Sequence, residues 1–186
     1  MNEAHRLRLD PIATPDRLLL GPGPSNADPR VLQAIARPPL SHLDPLYLEL
    51  MNEVQEMLRY AWQTENRFTI PVSGTGSAAM EATIANTVEA GETVVVGVIG
   101  YFGKRLVDMC GRYGAKVVEV SAPWGEALSL DTLTQAVEQH KPAVLALVHA
   151  ETSTGVQQPL DGIGDLCRAH DCLLLLDTVT SLGGVP

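Results

Sequence analysis

The chain has 186 residues, 45% of them hydrophobic, with 22 acidic against 13 basic side chains and a formal net charge of −9. That composition belongs to one globular domain or a large piece of one, and it excludes wholesale disorder. The acidic balance argues against binding a phosphate backbone, and no apolar run approaches the roughly 18 residues needed to cross a membrane.

Met1–Asp10 is charged and has no apolar stretch of the secretory kind. Prolines then punctuate the chain to about residue 45: Asp10-Pro11, Thr14-Pro15, Gly21-Pro-Gly-Pro24 and Arg37-Pro-Pro39. We read 1–45 as an irregular N-terminal arm and 46–186 as the main domain. Within the arm, Arg17–Leu20 is expected to form a short strand. Asp28-Pro29 opens a short helix, an N-cap residue followed by proline at the first helical position. Asp44-Pro45 opens a longer one. Its apolar residues Leu46, Leu50, Val54, Met57, Leu58 and Ala61 form one helical stripe.

From Arg67 onward strands and helices alternate. Strands are expected at Phe68–Val72, Thr93–Ile99, Lys116–Val120, Ala143–Val148 and Cys172–Asp177. Helices are expected at Ser77–Val88, Phe102–Tyr113, Leu130–His140 and Ile163–His170. The strands are short, continuous apolar runs, as in strands covered on both faces by crossover helices. The fold class is therefore α/β, a three-layer sandwich around a mostly parallel sheet. Such sheets bind ligands at the carboxyl ends of their strands. Four loops are thereby singled out.

The first is Ser73-Gly-Thr-Gly-Ser77, between a strand and a helix. Glycines admit a ligand close to the backbone, and helix N-terminal amides attract phosphate. Gly74-x-Gly76-x-x-Ala79 also matches a dinucleotide fingerprint, but the next strand ends Gly97-Val-Ile-Gly100, without the acid that would hold a ribose. A tight turn with no ligand is the plain alternative. The second is Gly100-Tyr-Phe-Gly-Lys-Arg105, where an aromatic pair between glycines either presents a ring to a planar ligand or staples a helix start. The third, His149-Ala-Glu-Thr-Ser-Thr-Gly155, is rich in hydroxyls that serve either a polar ligand or the turn itself. His149 reads as a satisfied strand-end histidine. The fourth begins at Asp177, directly after four leucines. A carboxylate buried there needs a cation, a metal or a strong donor. No cluster of histidines or second carboxylate supports a metal, whereas a protonated heterocyclic nitrogen would answer the need. Asp177 as a helix or turn cap is the plain alternative.

Cys110, Cys167 and Cys172 have no C-x-x-C spacing and are expected to be reduced packing thiols in a cytoplasmic protein.

Taken together and in order, Leu18-Leu-Leu-Gly-Pro-Gly-Pro-Ser-Asn26, Ser73-Gly-Thr-Gly-Ser77 with Met80-Glu-Ala82, Gly100-Tyr-Phe-Gly103, Glu151-Thr-Ser-Thr-Gly155 and Asp177-Thr-Val-Thr-Ser-Leu-Gly-Gly184 resemble the class V aminotransferases of the alanine–glyoxylate and serine–pyruvate group. These are enzymes of fold type I that depend on pyridoxal 5'-phosphate. The resemblance implies the large cofactor domain of that fold, here incomplete. It implies that Thr75, Gly76 and Ser77 cradle the cofactor phosphate and that Phe102, rather than its neighbour Tyr101, stacks on the pyridine. It implies Thr152 near the phenolic oxygen, Asp177 on the pyridine nitrogen, Ser181 lining the pocket, and Gly23 bordering the substrate. It also implies transamination between an amino acid such as alanine or serine and a 2-oxo acid such as glyoxylate or pyruvate, in a homodimer whose active sites lie at the interface.

The chemistry also needs a lysine, which holds the aldehyde as a Schiff base and shuttles the α-proton. The chain has Lys104, Lys116 and Lys141, none of them after the Asp177 strand. The expectation is an N-terminal half that is inactive alone. A non-catalytic assembly or regulatory partner of a full-length subunit is one competing reading, and a nicotinamide-dependent oxidoreductase resting on Gly74-x-Gly76 is another. Cysteine desulfurases resemble a pattern with histidine in place of Phe102.

Overall fold

The structure, a computed structural model, describes residues 12–185; the reading of Met1–Asp10 lies outside them. The chain divides into two compact units, 1–39 and 40–186.

In the first unit, α1 (Pro29–Ile35) is capped by the Asp28 carboxylate, which accepts from the Arg30 amide. The strand expected at Arg17–Leu20 does not form. A side-chain amide replaces the strand partner: the Leu19 amide donates to Asn26 Oδ1 at 2.7 Å, and Asn26 Nδ2 donates to the Arg17 carbonyl at 2.9 Å.

The second unit begins with α2 (Pro45–Trp62), capped by Asp44. Then follow α3 (Gly76–Thr87), β1 (Thr93–Val98), α4 (Tyr101–Arg112), β2 (Lys116–Ser121), α5 (Leu130–His140) and β3 (Val144–Val148). A small hairpin of β4 (Ala150–Glu151) and β5 (Val156–Gln157) precedes α6 (Ile163–Ala169) and β6 (Leu173–Asp177). The sheet has the order β2-β1-β3-β6, parallel throughout. In register, Ala146 pairs with both Val96 and Leu175, and Val148 pairs with Asp177.

Strand alternation sorts the core into two layers. Val94, Val96, Val98 and Ala146 pack with Ile84 of α3 and Leu106 of α4. On the opposite face, Val95, Leu145 and Leu147 pack with Leu133 of α5 and Leu166 of α6. The central strands are thus covered on both sides, which is why they carry valine and leucine at successive positions rather than alternating with polar residues. Buried polar side chains accompany this core, Gln158 among them. Gln158, 2% exposed, accepts from the Leu128 amide and donates to its carbonyl, and so satisfies both backbone groups of a buried loop residue.

Phe68–Val72 is not a strand. β propensity reflects packing against strand neighbours more than an intrinsic backbone preference. No strand of the described residues pairs with this segment, and Phe68 stays 83% exposed. The Ser73–Ser77 loop therefore does not follow a strand.

Candidate functional site

The carboxyl ends of β1, β3 and β6 lie side by side, and the loops leaving them carry the polar residues. At the end of β6, Asp177 is half-buried rather than buried; the pairing of Val148 with Asp177 puts it at the rim of the sheet. Its Oδ1 accepts from the Val179 amide at 3.0 Å, an Asx turn that orients the carboxylate. The electrostatic need inferred for a buried acid is therefore smaller than the sequence suggests, and the turn-capping alternative describes the hydrogen bond that this side chain accepts.

At the end of β1 the chain turns at Gly100 into α4. Phe102, on the first turn, is half-buried and meets Tyr101 edge-on, with ring centroids 5.4 Å apart and planes at 89°. Tyr101 itself is 57% exposed. After β3, the hairpin turn of β4 and β5 carries Thr152, whose hydroxyl shares a hydrogen bond of 2.5 Å with that of Thr180.

The fourth element is the start of α3. Thr75 is its N-cap residue, but its side chain makes no capping hydrogen bond. Among the described residues nothing accepts from the amides of Gly76 and Ser77, whereas α1, α2 and α5 are each capped by the preceding side chain. The first free amides of a helix form a site suited to an anion. Glycine also leaves room there: a Cβ at Gly76 would stand 3.3 Å from Val179 Cγ2, a tight contact.

These elements converge. Gly76, Ser77, Phe102, Thr152 and Asp177 line one cavity of roughly 140 Å³. Arg105 lines it too, and its guanidinium donates to the Ser77 hydroxyl at 2.6 Å. Among the described residues Arg105 makes no ion pair. Sequence reading passed over this cation. Its signal was positional: Arg105 is three residues beyond Phe102, on the same helical face. Thr180 was passed over as well, as one hydroxyl among several in its loop.

Two residues singled out from the sequence lie elsewhere. Ser181 is buried in a neighbouring cavity of roughly 520 Å³, where it donates to the Thr178 carbonyl. His149 lines that second cavity, is 7% exposed, and has its ring nitrogen 3.3 Å from the Gln157 amide. Gly23 belongs to the first unit, where it precedes a cis proline. Lys104, Lys116 and Lys141 are all exposed, and none lines the cavity.

Comparison with known proteins decides the family. The family described as Aminotransferase class-V matches residues 18–186. The chain belongs to the class V aminotransferases. Their cofactor is pyridoxal 5'-phosphate. The chain is 46% identical over 176 residues to the alanine–glyoxylate aminotransferase of Mus musculus, a match that covers 95% of this chain and 42% of the relative. It is 39% identical over 173 residues to the (S)-ureidoglycine–glyoxylate transaminase of Bacillus subtilis, with 93% and 42% covered. Among solved structures, an alanine–glyoxylate aminotransferase from Nostoc sp. superposes with a TM-score of 0.95 at 66% identity, covering all of this chain and 49% of that one. The chain thus spans about half the length of the relatives it matches.

The residues on the cavity wall suit the class V cofactor in kind. Its lining supplies the donor and acceptor types that cofactor needs: the uncapped helix start at Gly76 and Ser77, with the Arg105 guanidinium on the Ser77 hydroxyl, suits a phosphate dianion, the Asp177 carboxylate suits a cationic ring nitrogen, and Phe102 offers an aromatic ring.

The three cysteines are free and buried. Burial pushes the Cys110 thiol up to about 11 and the Cys172 thiol up to about 12, with Cys167 beside it adding to the second shift. Such thiols are inert at neutral pH. Among the described residues, no helix is long and apolar enough to cross a membrane.

Proposed function

We propose that this cavity holds pyridoxal 5'-phosphate for transamination between an amino acid, alanine or serine, and a 2-oxo acid, glyoxylate or pyruvate. The observation that carries the reading is the convergence of Gly76, Ser77, Phe102, Thr152 and Asp177 on one cavity, from four separate segments of the chain. The glyoxylate-using enzymes among the relatives support the choice of acceptor.

When bound, the cofactor supplies an electron sink for the carbanion at the substrate α-carbon. The residues of this chain do the rest. The Gly76 and Ser77 amides and the Thr75 and Ser77 hydroxyls hold the phosphate, and Arg105 balances its charge. Phe102 stacks on the pyridine plane and fixes its tilt. Asp177 pairs with the pyridine nitrogen and keeps a proton on it, the form in which the ring draws electrons best. The Thr152 hydroxyl leaves Thr180 to donate to the phenolic oxygen. Ser181 supports the Asp177 loop from behind through Thr178.

The chemistry also requires an amine that forms a covalent bond with the cofactor and moves the α-proton. Since the three lysines here stand away from the cavity, that amine comes from polypeptide outside these 186 residues, and this chain without it turns nothing over. We further propose a homodimer that closes the site. The exposed apolar residues of α2, Leu46, Leu50 and Met57, support an interface.

The experiment is a cofactor titration followed by an amino-transfer assay. The protein together with the lysine-bearing polypeptide should bind pyridoxal 5'-phosphate and convert alanine and glyoxylate to pyruvate and glycine. The 186-residue chain alone should do neither covalently. Borohydride trapping on Lys104, Lys116 or Lys141 with turnover would overturn this division of labour.

A further inference from the structure

Glu151 is 1% exposed and forms none of the cavity wall. Its two carboxylate oxygens accept from the Phe102 amide at 3.1 and 3.3 Å, the Gly103 amide at 3.2 Å, the Ser153 amide at 3.1 Å and the Ser153 hydroxyl at 2.7 Å. The Ser153 hydroxyl oxygen in turn accepts from the Tyr101 amide at 2.9 Å. Three consecutive amides of the first turn of α4 are therefore held by two side chains of the β4–β5 hairpin, about fifty residues downstream.

This is an unusual way to start a helix. Asp28, Asp44 and Ser129 cap α1, α2 and α5 from the position just before each helix, at no cost in long-range order. The residue before α4 is Gly100, which has no side chain to offer. A Cβ there would stand 2.4 Å from Glu151 Cγ and 2.5 Å from the Ser153 hydroxyl. The local cap is absent because the remote one occupies its place. The Thr154 hydroxyl adds a further tie, donating to the Ile99 carbonyl at 3.2 Å.

The consequence lies in what the two joined pieces carry. Phe102 stands on the first turn of α4 and Thr152 on the hairpin turn, and both line the cavity. We infer that Glu151 is a positioning residue: it locks the α4 start to the hairpin so that Phe102 and Thr152 keep a fixed separation across the bound cofactor. This rests on the cofactor reading given above. A carboxylate suits the task because it offers four lone-pair directions to donors alone. A glutamine would offer one accepting oxygen and turn an NH2 group against the amides. The negative charge also sits at the positive end of the helix.

The test uses the cofactor-loaded protein with the lysine-bearing polypeptide present. Glu151→Gln and Ser153→Ala are compared with the unsubstituted protein in three measurements. These are the visible circular dichroism per bound cofactor, the cofactor dissociation constant, and amide hydrogen exchange at Phe102 and Gly103. For Glu151→Gln we expect the ellipticity to fall at least about twofold, the dissociation constant to rise about tenfold, and the two amides to exchange faster while those of β1 and β3 are unchanged. Ser153→Ala should show the same pattern at smaller amplitude, and it decides the matter if Glu151→Gln does not fold. A variant that melts earlier but keeps ellipticity and dissociation constant within twofold would reduce Glu151 to a helix cap and overturn the proposal. If the unsubstituted protein takes up no cofactor, the cofactor reading fails and the proposal falls with it. If it takes up cofactor and both variants match it, the proposal alone fails.

Discussion

The guanidinium of Arg105 reaches from α4 to the first turn of α3 and donates to the Ser77 hydroxyl at 2.6 Å, which brings a cation to the helix start whose amides lack acceptors. One hydrogen bond thereby joins two helices that the sequence separates by a strand, and it holds a cation on the cavity wall.

On the function proposed above, Arg105→Ala removes the cation that balances the phosphate charge beside Ser77, an interaction of roughly 1.5–3 kcal/mol. Because Arg105 is only half-buried, solvent screening argues for the lower end. The cofactor dissociation constant should rise about tenfold, with Arg105→Lys recovering part of the loss. Titration at low and high salt checks this, since the difference between the unsubstituted protein and Arg105→Ala should shrink as ionic strength increases.

Asp177→Asn keeps the size of the side chain and an acceptor for the Val179 amide while removing the charge. Folding should be little affected, because the turn at Val179 survives. Amino transfer in the complete enzyme should fall by about 10²–10³, the scale seen when one preorganised electrostatic group is lost. Loss of folding with no separate loss of rate would show that Asp177 serves the turn alone.

Gly100→Ala is expected to destabilise the protein by about 2–3 kcal/mol, the usual scale for overpacking. The cause is steric. The Gly100 φ of 171° is open to any residue, but the added methyl would collide with Glu151 and Ser153. Chemical denaturation should show the loss. Pairing Gly100→Ala with Ser153→Gly should restore part of it, because the second change removes one of the two colliding groups.

The buried thiols make stability fall in alkali. The folded state keeps Cys110 protonated up to about 11, against an ordinary thiol value of 9.0. Below pH 9 the thiol is neutral in both states and its contribution is fully present. As the pH rises through the window from 9 to 11, the unfolded chain ionises first and stability is lost. Denaturation midpoints at pH 8 and pH 10.5 should differ less in Cys110→Ala than in the unsubstituted protein. All three cysteines should resist iodoacetamide at pH 8 until the protein is unfolded.

Much of this was legible without coordinates. Valine and leucine runs such as Val144–Val148 marked strands covered on both faces, and Asp-Pro pairs marked the starts of α1 and α2, because patterning and capping are local physics. The loops that bear the site followed from the same alternation, since ligands gather at the carboxyl ends of parallel strands. What failed was whatever needed a partner. Phe68–Val72 has strand composition yet forms none, as a strand exists only in pairing. Arg17–Leu20 gave way to the Asn26 side chain. The burial of Asp177 was overestimated because the leucines before it report the sheet interior, not its rim.

The amino-acid order by itself determined the α/β class, the helix starts and the family, since each depends on residue types at short or ordered spacing. Only the tertiary structure decided that Glu151 caps a helix it does not adjoin, that Arg105 meets Ser77, and that Ser181 faces a different cavity from Asp177. Those contacts join residues about thirty to fifty positions apart or divide near neighbours, and the direction a side chain takes there is set by the packing of whole layers, which local sequence does not encode.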